Sequence, residues 1–418
     1  MGQFKQTDIG LIPEDWDLIK LGDENRRPIL ELKNGLTDPQ TENESNYRVT
    51  RIETISNECI DLERTKYIEN ITDEKVDKFR IRKGDILFSH INSDPHIGKS
   101  AIAKRDYYDL LHGLNLLLFR TNDEVLHPEF LNYIFNYYRS IGIFIKICSR
   151  AVNQSSINQG KLKSLFIPLP PLPEQKKIAH ILSKIQQAID TQEQIIKTTQ
   201  ELKKALMQKL FTEGLNSEPQ KQTKIGLIPE SWEVVEFENS IIKNNFSRNN
   251  LINASEIKEV GSFPVIDQGQ DFIAGYSDYS SKVYTPTNPA IIFGDHTRIF
   301  KYVDFPFIGG ADGIKIFFPD TDLFYSKFYF YSLLNLDIPS RGYNRHYKLL
   351  KEKKIPKPAM TEQKEIAKTF SLIDSKIEHH TNYKNQLLDL FKSMLSQLMT
   401  GQIRVKDIEF DIDEEKVN

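Results

Sequence analysis

The sequence predicts an α+β protein that is built twice. Two β-rich domains are joined by two long antiparallel coiled-coil helices, with a pseudo-two-fold internal repeat. Three observations predict this class. Two short motifs recur in the same order, a coiled-coil seam follows the second motif in each copy, and short apolar runs bounded by Gly, Pro and Asp fill the stretches between the motifs.

Two motifs carry the repeat. Ile9–Trp16 reads Ile-Gly-Leu-Ile-Pro-Glu-Asp-Trp, and it recurs 216 positions later as Ile225–Trp232 with seven of eight residues identical. Ile167–Ala179 resembles Ile355–Ala367, which lies 188 positions later and shares Glu-Gln-Lys and Ile-Ala at matching places. Two such matches in one order indicate an internal duplication. Its two halves can bury equivalent faces against each other.

A helical pattern follows each Glu-Gln pair and predicts long helices within 166–214 and 355–402. Pro173 and Thr361 stand at the helix starts, where a first-turn Pro or a capping Thr is favoured. Steps of four and three then place one seam in the same register in both copies, with polar residues in its middle. The seam positions are Ile178, Leu182, Ile185, Ile189, Gln192, Ile196, Thr199, Lys203, Leu206 and Leu210, and Ile366, Phe370, Ile373, Ile377, His380, Lys384, Leu387, Phe391, Met394 and Leu398.

Each seam needs a partner, because about forty residues at a rise of 1.5 Å form a helix of roughly 60 Å whose apolar stripe would otherwise cause aggregation. The duplication favours pairing between the two copies within one chain. Such helices would pack antiparallel and hold the two halves at a fixed distance. The alternative is a seam that binds another protein, as in a homodimeric coiled coil.

The rest of the chain divides around these helices. The β-rich domains are predicted at 1–165 and 225–354, a polar linker at 215–224 after Gly214, and an acidic tail at 403–418. The stretches between the repeated motifs hardly resemble each other, but both follow one plan. An apolar strand, a second apolar strand and a helix follow in order, at 83–89, 114–119 and 127–135 in the first copy and at 289–294, 313–318 and 325–334 in the second.

Polar or basic segments precede both long helices, and we identify them as candidate DNA-binding segments. Arg and Lys bind phosphates, and Arg, Asn and Gln also pair with guanine and adenine edges. On a helix Arg341, Arg345 and Lys348 would share one face, with Arg345 reading a base and Lys348 binding a phosphate. The alternative is a solvated charged helix. The candidates are Arg150, Asn153, Gln154, Lys161 and Lys163 in the first copy, and His296, Arg298, Arg341, Tyr343, Asn344, Arg345, His346 and Lys348 in the second.

Charge and cysteine content limit the other classes. A formal net charge of −3 argues against a simple DNA-coating protein but permits a basic contacting face. The two cysteines, Cys59 and Cys148, allow neither a disulfide framework nor a four-cysteine zinc site. Neither a signal peptide nor a run of eighteen apolar residues is present, which predicts a cytoplasmic protein.

Catalytic and metal-site patterns fail at specific residues, so we assign no catalytic residue and no metal ligand. Ser93–Ser100 resembles a phosphate-binding loop but has Ser93 in place of its first glycine. Asn288-Pro-Ala290 lacks the second proline and the aromatic residue of an adenine-methyltransferase motif. Pro319-Asp-Thr-Asp322 with Lys327 is only loosely similar to a nuclease site, and His379 and His380 fall within the second long helix.

These residues resemble a known family. The chain is similar in three features to the specificity subunit of type I restriction–modification enzymes. The motif Gly10–Trp16 opens each half, the segment Pro-Leu-Pro-Pro-Leu-Pro-Glu-Gln ending at Gln175 precedes a long helix, and two dissimilar domains lie between these motifs. The strand Gly84–Ser89 is also typical of its target-recognition domains. The resemblance covers essentially the whole chain. The second copy departs from it only at Pro358–Thr361, which has fewer prolines.

The resemblance implies a non-catalytic subunit. Each target-recognition domain would read one half of a bipartite double-stranded DNA site, and the antiparallel helices would set the gap between the half-sites. Two adenine methyltransferase subunits would dock on the repeated regions, with restriction subunits as further partners. S-adenosylmethionine, ATP and Mg would be bound by those partners, and this chain would need no cofactor. The alternatives are a specificity module of a type IIG-like or other phage-defence methyltransferase, an antirestriction-like homologue, or a stand-alone DNA methyltransferase or nuclease.

Overall fold

The chain forms two compact units, each of which combines one β-rich region with parts of both long helices. Unit 1 comprises residues 1–191 and 384–418, and unit 2 comprises residues 192–383. The structure, a computed structural model, describes residues 3–151, 154–242, 246–310, 313–340, 342 and 344–409. No helix within these ranges is both long and apolar enough to cross a membrane.

Strands and short helices alternate in unit 1 before the first long helix. Its strands are β1 (Phe4–Thr7), β2 (Gly10–Pro13), β3 (Asp17–Lys20), β4 (Ile29–Asn34), β5 (Tyr47–Val49), β6 (Lys66–Ile68), β7 (Ile86–Phe88), β8 (Ile91–Asn92), β9 (Ser100–Ile102), β10 (Leu110–Leu111), β11 (Leu117–Thr121), β12 (Ser149–Ala151), β13 (Gln154–Ser156) and β14 (Phe166–Leu169). Its helices are α1 (Asp73–Phe79), α2 (Pro128–Ser140), α3 (Ile143–Ile147), α4 (Gln159–Lys163) and the start of α5 (Leu172–Glu213).

Unit 2 repeats the plan with fewer residues. Its strands are β15 (Gln220–Thr223), β16 (Gly226–Pro229), β17 (Glu233–Glu236), β18 (Ile241–Ile242), β19 (Leu251–Ile252), β20 (Phe263–Ile266), β21 (Gly275–Ser277), β22 (Ala290–Gly294), β23 (Phe300–Val303), β24 (Ile308–Gly310), β25 (Ile314–Pro319) and β26 (Lys354–Lys357). Its helices are α6 (Ser326–Leu334), α7 (Tyr347–Lys351) and the start of α8 (Met360–Met399).

The two units share the strand order of one four-stranded sheet and a parallel strand pair in a second sheet. An antiparallel sheet has the order β4-β11-β7-β9 in unit 1 and β18-β25-β22-β23 in unit 2. A second sheet pairs β10 parallel with β5 in unit 1 and β24 parallel with β20 in unit 2. The hairpins β1–β2 and β15–β16 even have the same register, since Gln6 faces Leu11 and Gln222 faces Leu227. The strand–strand–helix plan predicted for each copy is therefore present in both units.

The long helices use the predicted seam. All twenty predicted seam positions are buried or half-buried. In unit 1 the start of α5 and the end of α8 share one core, which includes Leu182 and Leu398. In unit 2 the end of α5 and the start of α8 share the other core, where the Phe211 and Phe370 rings lie 6.1 Å apart. Opposite ends meet in each unit, so the helices pack antiparallel and the predicted fold class is confirmed.

The polar seam positions form specific contacts in unit 2. His380 Nδ1 lies 2.7 Å from Gln192 Oε1, and Lys203 Nζ lies 2.5 Å from Asp374 Oδ1. Tyr331 of α6 also donates its hydroxyl proton to the other oxygen of Asp374 at 2.8 Å. Paired polar groups of this kind favour one helix register, because a shift would leave half-buried polar groups without these partners.

The repeated Glu-Gln pair attaches each β-rich region to its long helix. In unit 1 Trp16 Nε1 donates to Glu174 Oε2 at 3.1 Å, and Gln175 Oε1 accepts the His127 N–H at 2.9 Å. The same bonds recur in unit 2, where Trp232 donates to Glu362 at 3.0 Å and Gln363 accepts the Tyr325 N–H at 2.8 Å. The repeated residues are thus structural.

Glycines end both long helices next to these tryptophans. Gly214 and Gly401 have φ values of +66° and +68°, and a Cβ atom on either would meet the proline of the neighbouring hairpin, Pro229 or Pro13. The segment after Gly214, predicted as a polar linker at 215–224, contributes the hairpin strand β15. After Gly401, the start of the predicted acidic tail packs on unit 1, with Val405 buried.

Candidate nucleic-acid interface

The candidate segment of unit 1 begins as a hairpin. β12 and β13 pair with each other, and β13 also pairs with β8, the strand that continues the chain after β7. Arg150 on β12 and Gln154 on β13 are exposed, while Asn153 lies outside the described residues. The hairpin thus presents a cation and an amide to solvent, which are donor types that bind phosphates and base edges.

Asp94 joins this hairpin to the loop between β8 and β9. Its carboxylate accepts a short hydrogen bond from the Ser155 hydroxyl and lies 3.3 Å from Arg150 Nη2. Arg150 keeps 63% of its side chain exposed, so the ion pair orients the guanidinium without covering it. The structure therefore places Arg150 and Gln154 beside residues 93–99.

That loop is not arranged as a phosphate cradle. The amides of His96 and Ile97 donate to Ser93 O, and the amides of Gly98 and Lys99 donate to Ser89 O and His96 O. The Lys99 ammonium donates to Ser56 O at 2.6 Å. A nucleotide loop points its backbone amides at the ligand, whereas these amides are already paired within the loop. The nucleotide interpretation of Ser93–Ser100 thus fails on geometry as well as on its missing glycine.

The two lysines of the first segment differ in environment. Lys161 donates from its ammonium to Ile147 O at 2.7 Å and to Ser149 Oγ at 2.9 Å, so it connects α4 to the start of the hairpin. Lys163 is exposed at the end of α4, and its carbonyl accepts the Gly22 amide at 2.8 Å. Only Lys163 has the accessibility that a phosphate contact needs.

Asp295 organises the candidate segment of unit 2. Its carbonyl lies 2.9 Å from both the backbone nitrogen and Nδ1 of His346, and its carboxylate accepts the Tyr347 amide at 2.7 Å. His346 is fully buried. These bonds join the loop after β22 to the segment before α8. They give His346 a structural position, although the sequence placed it among the DNA-contacting residues.

Arg345 and Lys348, predicted to share a helical face with Arg341, do not lie on one helix, because α7 begins only at Tyr347. His346 occupies the position before that helix and is bonded to Asp295, and Arg345 precedes it. Asn344, Arg345 and Lys348 are all exposed. Arg341 and Tyr343 lie outside the described residues.

The loop between β22 and β23 carries the other two candidates. Arg298 has a left-handed backbone with φ +63°, and its Nη1 donates to Ile338 O at 2.8 Å. A non-glycine residue in this region is uncommon and costs free energy that the surrounding bonds must offset. The amide of half-buried His296 donates to Gln268 Oε1 at 3.3 Å. The two side chains thus lie on a short loop fixed at both ends.

One arrangement is common to both units. The segments 89–99, which includes β8, and 295–299 follow the equivalent strands β7 and β22, and each contacts the segment that precedes a long helix. Sequence reasoning selected 295–298 but set aside the equivalent loop of unit 1, where His96 is exposed. Aligning the two copies by the order of their strands, rather than by residue identity, would have identified the loop of unit 1.

The protonation state of His90 affects the charge of this region. Burial lowers the pKa of His90, which leads into the unit 1 loop, to about 4. It is therefore neutral at physiological pH and adds no positive charge. The exposed cation that the structure places beside that loop is Arg150, whose charge is partly offset by Asp94.

Comparison with known proteins agrees with this repeat. The family model for the type I restriction modification DNA specificity domain matches residues 13–201 and 229–389. The chain belongs to this family. The two matches of the specificity domain begin at Pro13 and Pro229, which are equivalent positions of the hairpins β1–β2 and β15–β16. The chain therefore contains the specificity domain twice.

Related proteins extend along the full length. A Methanocaldococcus jannaschii protein provisionally named the type I restriction enzyme MjaX specificity subunit is 40% identical over 96% of this chain and 97% of its own. The MjaVIII specificity subunit of the same organism is 26% identical over 97% of each chain. A crystal structure of a type I restriction–modification S subunit from M. genitalium has a TM-score of 0.61 at 18% identity and covers 92% of this chain and 96% of its own. These likenesses support assignment to the specificity family and to its fold.

Proposed function

We propose that this chain reads a bipartite DNA target for a type I restriction–modification complex, with one half-site bound by each unit. One observation carries the proposal. In each unit the segment that follows one strand of the antiparallel sheet contacts the segment before a long helix, and the chain contains the specificity domain twice. A single reader of a continuous site would not need two such surfaces.

Each unit has a small set of accessible side chains for this task. In unit 1 they are Arg150, Gln154 and Lys163, and in unit 2 they are Arg298, Asn344, Arg345 and Lys348. Arginine and the amides suit base edges, and lysine suits phosphates. His346 and Lys161 hold the segments in place rather than contact DNA, because their polar groups are bonded to the protein. His296 is half-buried and lies beside Arg298.

The long helices would set the distance between the half-sites. Each is about forty residues long, which corresponds to roughly 60 Å of helix. Two methyltransferase subunits would dock on the repeated regions, since a duplicated subunit offers two equivalent surfaces. Adenine methylation would use S-adenosylmethionine in those subunits, and cleavage would use ATP and Mg in restriction subunits. This chain would supply recognition but no catalytic group, and we expect it to act in the cytoplasm.

Methylome sequencing tests the proposal. A host that expresses this chain with its partner subunits should carry one split adenine-methylated motif, and deletion of this chain should abolish the motif. Methylation at a single continuous motif, or a motif that persists after the deletion, would refute the bipartite reader. Methylation of DNA by the purified chain alone would instead indicate a stand-alone methyltransferase.

A further inference from the structure

A third loop lies beside the candidate interface of unit 2, and the sequence did not single it out. It connects β20 to β21 and spans residues 267–274. Gln268 of this loop accepts the His296 amide, so the loop adjoins the one that carries His296 and Arg298. Gln270 and Phe272 are exposed, and Phe272 retains 45% of its surface.

A buried ammonium fixes the conformation of this loop. Lys301 of β23 is 3% exposed, and its Nζ donates to Asp271 O at 2.5 Å and lies 3.5 Å from Asp267 Oδ1. Asp267 also accepts the Gly269 amide at 2.8 Å. A buried lysine without such partners would be strongly unfavourable, so these bonds specify the loop backbone. The ammonium also offsets the charge of Asp267.

The tip of the loop exposes an amide and an aromatic ring, Gln270 and Phe272. The Phe272 ring packs edge-on against Phe305, with the centroids 6.1 Å apart, and its other surface is open to solvent. Phe272 therefore keeps accessible aromatic surface beside the loop that carries His296 and Arg298. A glutamine pairs in bidentate fashion with adenine N6 and N7, and a phenylalanine contacts the thymine methyl group.

We infer that Gln270 and Phe272 read an adenine–thymine pair in the half-site bound by unit 2. Gln270 donates to adenine N7 and accepts from its N6 amine, while Phe272 covers the thymine C5-methyl group. Lys301 acts as a positioning residue that holds the loop ready for this contact. The inference rests on the proposed function and deepens it, because it assigns a base pair to a loop outside both candidate segments.

Base analogues test each contact at the level of single atoms. The complex with the methyltransferase subunits is bound to duplexes that carry the wild-type motif, with 7-deazaadenine or deoxyuridine replacing one adenine or thymine at a time. At one pair of one half-site both replacements should weaken wild-type binding. In Gln270→Ala the 7-deazaadenine effect should disappear, and in Phe272→Ala the deoxyuridine effect should disappear. Gln270→Ala should also lose roughly ten- to hundredfold preference for adenine there.

Matched variants separate reading from a general loss of binding. Tyr279→Ala removes another exposed aromatic ring, beyond the opposite end of β21, and Gln222→Ala removes an exposed amide of the hairpin β15–β16. Both should retain both analogue effects. Gln270→Glu should shift the preference at that pair toward cytosine, whose N4 amine needs an acceptor. This variant tests the contact even if the alanine variants bind weakly.

The outcomes distinguish the inference from the function on which it rests. Analogue effects that persist in Gln270→Ala and Phe272→Ala, or an equal loss on target and scrambled duplexes, would overturn the inference and leave the bipartite reader intact. A half-site without any adenine–thymine pair would overturn it as well. Wild-type complex that shows no split motif would instead refute the proposed function.

Discussion

At the scale of single residues, the repeated motifs are explained by two bonding patterns. Glu174 and Glu362 accept the indole N–H of Trp16 and Trp232, while the following glutamines bond to the β-rich region. The sequence indicated that these residues repeat but could not show why, because their partners lie far away in the chain. The tryptophans are 158 and 130 positions from their glutamates.

The buried glutamines should be costly to replace. Gln363 accepts the Tyr325 amide and donates to Leu323 O and Pro358 O, so Gln363→Leu leaves three backbone groups without this partner. Since a buried unsatisfied group costs about 1–3 kcal/mol, we expect a loss of at least about 3 kcal/mol in the free energy of unfolding. Urea denaturation measures it. Gln208→Leu, at an exposed position of α5, is the control, and an equally small effect at both positions would contradict the assignment.

The one mismatch in the eight-residue motif also has a structural reason. Asp15 forms a bidentate pair with Arg404 at 2.8 Å, and this pair lowers the pKa of Asp15. Ser231 stands at the equivalent position of unit 2 and bonds instead to Glu218. The sequence shows that the two copies differ at this position. The structure adds the reason, which is that Asp15 pairs with Arg404, a residue beyond the end of α8.

Acid should remove the contribution of Asp15. Because its pKa is lower in the folded than in the unfolded state, the stabilisation is complete above about pH 4 and disappears as pH falls through the folded pKa. Wild type should therefore have a higher Tm than Asp15→Asn at pH 7, and the difference should shrink progressively as the pH is lowered below about 4. Thermal denaturation across this range checks the prediction, and a difference that is constant with pH would contradict it.

Two exposed cations of unit 2 should behave differently on DNA. Arg345→Ala should relax specificity at one base position at a cost of roughly 1–3 kcal/mol. Lys348→Ala should weaken binding to all sequences and reduce the salt dependence by about one unit. Affinity across a salt series, measured in the complex with the methyltransferase subunits, distinguishes these effects. Wild-type affinity and slope in both variants would return this segment to a solvated surface.

At the scale of elements, the helices were the most predictable part of the fold. The step of four and three residues predicted every seam position, because periodic burial leaves a local signal. Short elements were not predictable to the same degree. α7 begins at Tyr347 because Asp295, some fifty positions earlier, bonds to His346 and Tyr347. β15 lies in a stretch whose polar composition indicated a linker. Contacts distant in sequence decided both.

The helices also provide a test of the spacing mechanism. One heptad inserted into both α5 and α8 keeps the seam in register and adds about 10 Å of helix. At 3.4 Å per base pair, the spacer of the recognised motif should lengthen by about three base pairs, with the half-site bases unchanged. Methylome sequencing reads the spacer directly. A heptad inserted into one helix alone is the control, since it misaligns the pair, and an unchanged spacer in the double insertion would refute the mechanism.

At the scale of the whole molecule, the duplication determines how recognition is organised. Each unit has its own core, its own four-stranded antiparallel sheet and its own loop against a segment before a long helix. The sequence predicted the two copies and their order from the repeated motifs. It did not predict which loops lie beside the candidate segments, because the regions that differ between copies carry no repeated residues.

The exchange of one β-rich region tests the central claim, that the two units read two half-sites independently. Residues 24–160 are replaced by the equivalent region of another specificity protein with a known target, and the methylated motif is sequenced with the same partner subunits. The account predicts that one half-site takes the bases of the donor, while the other half-site and the spacer stay as in the wild type. A motif in which both half-sites change would contradict it.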